Sequence, residues 1–357
     1  MIRTRSSLSE GSRFRRLGPL VLPGAWGAVA VTWKLGCPLA QQPGLPMRIA
    51  TSVVFFSVGT GLVLGIRRGL ARELERMRAI AHAAQRVLLR PVPPRLDGLV
   101  FAAAQLSAAR GAEVGGDLYG AAATPFGVRV LMGDARGHGL AALGAVAAVL
   151  GSFREAAHDE PELGGVLRRL DRALGRHLRE RARDEHPAAG GAEPEHPAAE
   201  EFVTVLLLEI RPDGTVYALN CGHPGPYRLA PRVESLPAGD PLPPLGAFPL
   251  PAELIPHRCT RLRPGEALLL HTDGAEDARD AAGRFFALDA VLADAVRDAP
   301  VSPAAVVRRV HTALLRHTGG RLADDVALLV VRNDRARVPA QPAEPGLRRS
   351  RPAPSPR

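Results

Sequence analysis

Residues 113–139 read EVGGDLYGAAATPFGVRVLMGDARGHG, and the fold and chemistry of the chain turn on this stretch. Gly115-Gly116 precede Asp117, and Phe126 to Met132 alternates with the period of a strand that runs into Asp134. The stretch therefore reads as a hairpin with an aspartate at each of its two ends. A carboxylate just after a tight Gly-Gly and another at a strand's end can converge on one point. Hard divalent cations such as magnesium and manganese prefer oxygen ligands and keep several waters, so few protein carboxylates are needed to hold them.

Further along, aspartate again stands at strand edges. Asp273-Gly274 directly follows the apolar run Ala267 to Thr272, and Asp324-Asp325 directly precedes the apolar run Val326 to Val331. Taken alone, an Asp-Gly pair is usually a turn and an Asp-Asp pair is usually solvated. Together they are strand ends bearing acids, the usual construction of a dinuclear site. Two metals about 3.5–4 Å apart share a bridging water, lower its pKa and deliver it in line to phosphorus. The acids thus point to metal-dependent phosphoester hydrolysis.

The formal net charge of +10 is a tail property. Residues 1–16 carry five arginines against Glu10, 5 − 1 = +4, and residues 335–357 carry six against Glu344, 6 − 1 = +5. The body has no basic patch interleaved with aromatics, which argues against nucleic acid as a partner. Cys37, Cys221 and Cys259 lie far apart without a CxxC pair, so they suggest a reducing compartment and no structural zinc.

Taken in order, the chain opens on a basic cytoplasmic N-terminus, 1–16. Two charge-free segments follow, 17–33 and 49–66, at the lower edge of the length a helix needs to cross a bilayer. Arginines flank the outer ends of the pair, and only Lys34 and Arg48 border the loop between. The positive-inside rule then gives a membrane hairpin over 17–66 with both termini in the cytoplasm and residues 36–47 outside. Expected localisation is therefore multi-pass in the cell membrane, with the body of the chain cytoplasmic. Residues 67–94 read as a connector: 67–90 has helical apolar spacing with a charged opposite face, and Pro91 and Pro93-Pro94 end it. This helix is a candidate for homodimerisation, although about three heptads is short for a coiled coil.

The body, 95–334, shows strands at 100–106, 202–210, 215–220, 266–272 and 325–332, and helices at 140–157, 161–181, 290–297 and 303–316. The Pro/Ala/Gly-rich 186–200 reads as a surface loop, so its His186 and His196 are discounted as metal ligands. Residues 231–264 read as proline-rich irregular chain, and 335–357 as a disordered basic tail. Strands cluster around two long helical segments rather than alternating with them, which favours packed antiparallel sheets flanked by helices, an α+β fold.

Seven pieces complete the reading: VGGDLY (114–119), GDARGHG (133–139), FVTVLLLEI (202–210), NCGHPGPYRL (220–229), PPLG (243–246), LRPGEALLLHTDGAEDAR (262–279) and ADDVALLVV (323–331). In order and spacing the chain resembles the metal-dependent protein phosphatase (PPM) superfamily, in its bacterial stage II sporulation E-type branch of sigma-factor regulatory phosphatases. The resemblance implies an α-β-β-α sandwich of two antiparallel sheets with two Mn2+ or Mg2+ ions at one end. It implies Asp117, Asp134, Asp273 and Asp324 as metal ligands, with the backbone carbonyl of Ala135; Asp325 is the alternative to Asp324. By the same resemblance, Asp117 and Asp134 would be the ligands closest to both metals. Arg136 and His138, in the glycine loop after Asp134, are candidates to contact phosphate or protonate the leaving oxygen. For His223 the resemblance favours a fold-maintaining role. The implied activity is serine/threonine protein phosphatase, using a metal-activated water on a phosphorylated cytoplasmic regulator such as an anti-sigma-factor antagonist. Two alternatives stand beside it: a non-catalytic membrane signalling scaffold whose phosphatase-like domain binds a partner, and a phosphodiester or small-molecule phosphatase.

Overall fold

The computed structural model describes Trp26, Val29, Thr32, Gly36 and residues 45–106, 115–137, 140–185, 201–297 and 301–335. The chain forms two compact units, Met1–Ile80 and Ala81–Arg357.

Helix α1 (Leu45–Leu88, 44 residues) accounts for most of the described first unit and runs on into the second. The expected second span and the connector that follows it from residue 67 lie in this one unbroken helix. After Pro46, where proline is tolerated in a first turn, no proline occurs until Pro91, and the intervening Arg67-Arg68 are good helix formers. Within it, Ser52–Glu73 is long and apolar enough to cross a membrane, a window a few residues beyond the expected 49–66. The loop expected over 36–47 is trimmed at both ends, because Gly36 and Leu45–Met47 are helical. The first expected span, 17–33, falls outside the described residues except for Trp26, Val29 and Thr32, all helical. Trp26 packs its ring against Phe55, centroids 5.4 Å apart.

The second unit holds the two sheets. Strands β1 (Arg95–Leu96), β2 (Leu99–Leu106), β7 (Tyr227–Leu229), β8 (Val233–Ser235), β10 (Ala267–His271) and β11 (Val326–Asn333) make one, in the order β1-β2-β11-β10-β7-β8. Strands β3 (Asp117–Thr124), β4 (Gly127–Ala135), β5 (Val203–Ile210), β6 (Thr215–Cys221) and β9 (His257–Arg261) make the other, in numerical order. Neighbouring strands are antiparallel throughout both sheets.

Two long helices, α2 (Leu140–Asp159) and α3 (Leu163–Glu185), cover the five-stranded sheet; α5 (Leu288–Ala295) and α6 (Pro303–His317) cover the six-stranded one. Between α3 and α5 in sequence, a single turn of helix, α4 (Gly274–Asp277), follows β10. The helix-sheet-sheet-helix order follows from burial on both faces of the central strands. On β4, Val128, Val130 and Met132 enter the core between the sheets while Leu131 enters the core beneath the helices. Leu206 and Leu208 of β5 face the first of these cores and Val205 and Leu207 the second, which is why that strand reads as a continuous apolar run.

The second unit differs from the sequence reading in its proline-rich stretch. Residues 231–264 are not wholly irregular: β8 pairs three residues with β7, and β9 closes the edge of the five-stranded sheet. Both are short, exposed and polar, as edge strands tend to be, so neither carries an apolar signal. Arg129, the polar position in an alternating strand, does not face solvent. It is 0% exposed and lies opposite Glu209 in register. Its guanidinium donates to Glu209 Oε2 (3.1 and 2.9 Å) and to the carbonyls of Ala157, Glu160 and Pro161 at the end of α2. A buried cation thus meets a carboxylate and the negative end of a helix at once.

Removing one member of such a pair leaves an uncompensated buried charge. Because Arg211 also holds Glu209, at 3.1 Å, Arg129→Met is expected to lower unfolding stability by roughly 3 kcal/mol, the low end for breaking a buried pair. Urea or thermal unfolding of the full chain measures it, and a loss under about 1 kcal/mol contradicts the assignment.

Candidate functional site

Five aspartates meet at one end of the two sheets. Asp117 opens β3, Asp134 is the last residue but one of β4, and the two are direct cross-strand partners. On the other sheet, β10 ends at His271 opposite Leu328 of β11, so Thr272-Asp273 leave that sheet beside Asp324-Asp325, which enter it. The sheets are joined here by Thr272, whose hydroxyl lies 3.3 Å from Asp117 Oδ2 and accepts the amide of Ala327 at 2.9 Å.

The Gly115-Gly116 pair makes room for this approach. A Cβ on Gly115 would overlap the Asp325 carboxylate, and one on Gly116 would overlap the carbonyl oxygen of Ala135. The Gly116 carbonyl accepts the Ala135 amide at 3.1 Å, which pins the chain entering β3 to the end of β4. Any side chain at either position would push the hairpin away from the acids or from Ala135.

The electrostatics follow from crowding. Asp117, 2% exposed, is held well above the usual carboxylate range by burial, then by Asp134 and Asp325; the Thr272 hydrogen bond is the influence that lowers it. Asp134 is pushed up to about 7, and every influence on it raises it: burial, then Asp273, Asp324 and Asp325. Asp273, at the rim, is raised by desolvation and then by Asp324. Like charges at close quarters favour protons or a cation. Among the described residues, no three acidic, histidine or cysteine groups are already gathered tightly enough to hold a metal ion unaided.

A second tie between the sheets runs through His223. Its Nε2 lies 3.1 Å from the His271 carbonyl and its Nδ1 2.9 Å from the Thr204 hydroxyl, on β5 beside Asp134. Burial lowers its pKa to about 3, so the ring is neutral. With Nε2–H donating to His271, Nδ1 must accept, and Thr204 donates to it. Asn220 secures the turn, its side chain accepting the His223 amide at 2.8 Å and donating to the His223 carbonyl at 2.9 Å.

The structure therefore brings together Asp117, Asp134, Ala135, Asp273, Asp324 and Asp325. Arg136, exposed on the loop after β4, has its guanidinium over the Phe202 ring, 5.2 Å from its centroid, a cation against an aromatic face. His138, His186 and His196 lie outside the described residues. Thr272 and Thr204 escape a reading of the sequence, since a threonine in a strand is ordinary and only its neighbour Asp273 hints at more.

A family model described as stage II sporulation protein E matches residues 124–334. Among solved structures, the RsbU and RsbW domains of a Mycobacterium tuberculosis protein are similar, with 23% identity and a TM-score of 0.51 over 69% of this chain. This chain spans 63% of the length of that one. The SiaA-PP2C domain of Pseudomonas aeruginosa is similar over 75% of this chain and 98% of its own, at 17% identity and a TM-score of 0.51. No curated protein matches the chain.

The raised acids fix the sign of a pH effect. Asp134 has a folded pKa of about 7 against an ordinary 3.8, so the folded state binds more protons than the unfolded one across that window. Stability of the chelator-treated protein should fall as pH rises from about 4 to about 7. Thermal unfolding from pH 5 to 8 should show a decline that Asp134→Asn flattens; equal slopes for the two proteins would contradict the crowding.

Proposed function

The chain belongs to the stage II sporulation protein E family and carries its PP2C-type serine/threonine phosphatase domain; from that premise we propose a membrane-anchored, Mn/Mg-dependent phosphatase acting on a phosphorylated regulatory protein. The observation that carries the metal dependence is the in-register pairing of Asp117 with Asp134, faced by Asp273, Asp324 and Asp325. All donors are hard oxygens, as Mn2+ and Mg2+ require, and their mutual repulsion is relieved by a cation. In this reading Asp117, Asp134, Asp273 and the Ala135 carbonyl hold the ions, with Asp324 as the last ligand or Asp325 in its place. When bound, two such ions supply positive charge and an acidified water for in-line attack on phosphorus.

The chain's own contributions are positional. β3 and β4 fix the spacing of Asp117 and Asp134, and Gly116 keeps the Ala135 carbonyl accessible. Arg136 and His138, in the glycine loop after β4, are the candidates to contact phosphate or protonate the leaving oxygen. The substrate class is the one implied by the sequence resemblance, a phosphorylated cytoplasmic regulator such as an anti-sigma-factor antagonist. Membrane attachment is supported by Ser52–Glu73 and by helical Trp26 packed on Phe55, consistent with a hairpin of two spans over 17–66.

The test uses the full chain in detergent, with manganese, against phosphoserine peptides and phosphorylated antagonist proteins, reading released phosphate. Turnover should vanish with a chelator, and Asp134→Asn should lose on the order of a hundredfold or more in kcat/KM. Wild-type protein that leaves every phosphoprotein intact with manganese present would instead favour the non-catalytic scaffold.

A further inference from the structure

We infer that Thr272 is a positioning residue: its hydroxyl spans the two sheets and aims Asp117 at the cation site. This inference rests on the metal-dependent reading above. Thr272 is 0% exposed, at the point where β10 leaves its sheet. Its backbone amide donates to the Ala327 carbonyl at 3.2 Å, and the Ala327 amide donates back to the Thr272 hydroxyl oxygen at 2.9 Å. The threonine is thus locked to β11 by its backbone and its side chain together.

Hydrogen-bond capacity then sets the direction of the hydroxyl proton. A hydroxyl has one donor and two acceptor lone pairs. With a lone pair taken by the Ala327 amide, the O–H has Asp117 Oδ2 before it at 3.3 Å, a loose contact. Asp117 belongs to the five-stranded sheet and Ala327 to the six-stranded one, so a single side chain couples the two halves of the acidic cluster. A donor on Oδ2 fixes the carboxylate plane and leaves Oδ1 for a cation, the role groups behind metal ligands commonly play.

The experiment titrates the full-length protein in detergent with manganese alone, by calorimetry and by the rise in unfolding midpoint, for wild type, Thr272→Val and Thr272→Ser. Valine keeps the shape and removes the hydroxyl; serine keeps the hydroxyl and removes the methyl. Expected is a manganese affinity about tenfold or more weaker in Thr272→Val, restored by serine to within about threefold of wild type. Wild-type-like affinity in Thr272→Val overturns the inference and leaves the metal reading standing. So does a folded Thr272→Ser that binds as weakly as Thr272→Val, because the hydroxyl then is not what matters. If wild type itself binds no manganese, the metal reading fails and this inference falls with it.

Discussion

Two carboxylates placed directly opposite each other on an antiparallel pair repel, and burying them adds the cost of desolvation. Asp117, buried, and Asp134, half-buried, stand so paired, with three further aspartates close to them. A chain that only had to fold would be better served by almost any neutral pair there. The rest of the domain supplies the rigidity that holds these acids together: antiparallel pairing throughout both sheets among the described residues, a core between the sheets, and an outer helical layer on each face. Local crowding of like charge is maintained by packing elsewhere, and that crowding is what a divalent cation would relieve.

The two sheets are tied differently at the acidic end and within the layers. Between the sheets the contact is aliphatic, through Val128, Val130 and Met132 against Leu268, Leu270 and Leu329. At the acidic end it passes through polar side chains, Thr272 to Asp117 and His223 from Thr204 to His271. Apolar packing is non-directional and holds the sheets together; hydrogen bonds are directional and fix how the ends face. Arg129 and Glu209 perform a comparable task away from the acids, anchoring the end of α2 to the five-stranded sheet.

Much of this was legible in the sequence because each signal is local. The Gly-Gly before Asp117, the alternation into Asp134 and the apolar runs flanking Asp273 and Asp324 are read within a few residues of the acid concerned, and they point to the acidic end; the two-sheet sandwich is what the family resemblance implies. The parts that stayed hidden depend on partners far along the chain. Arg129 looks like a solvent-facing strand position until Glu209 and the end of α2 are in place, 80 and 28 residues away. Thr272 gains its meaning from Asp117, 155 residues earlier. Strands β8 and β9 lack an apolar pattern because they lie at sheet edges, where one side of the ladder is open. The guanidinium of Arg136 lies over the Phe202 ring, a contact made across 66 residues of chain that no local pattern announces.

The central claim is that the aspartates at the ends of the two sheets together hold divalent metal. Crystals of the protein grown with manganese, with anomalous scattering recorded at the manganese edge, test it most directly. The account predicts two anomalous peaks among Asp117, Asp134, Asp273 and the Asp324-Asp325 pair, both lost in Asp134→Asn. Ordered, well-diffracting crystals with no manganese at that end of the sheets, or peaks that persist unchanged in Asp134→Asn, would contradict it.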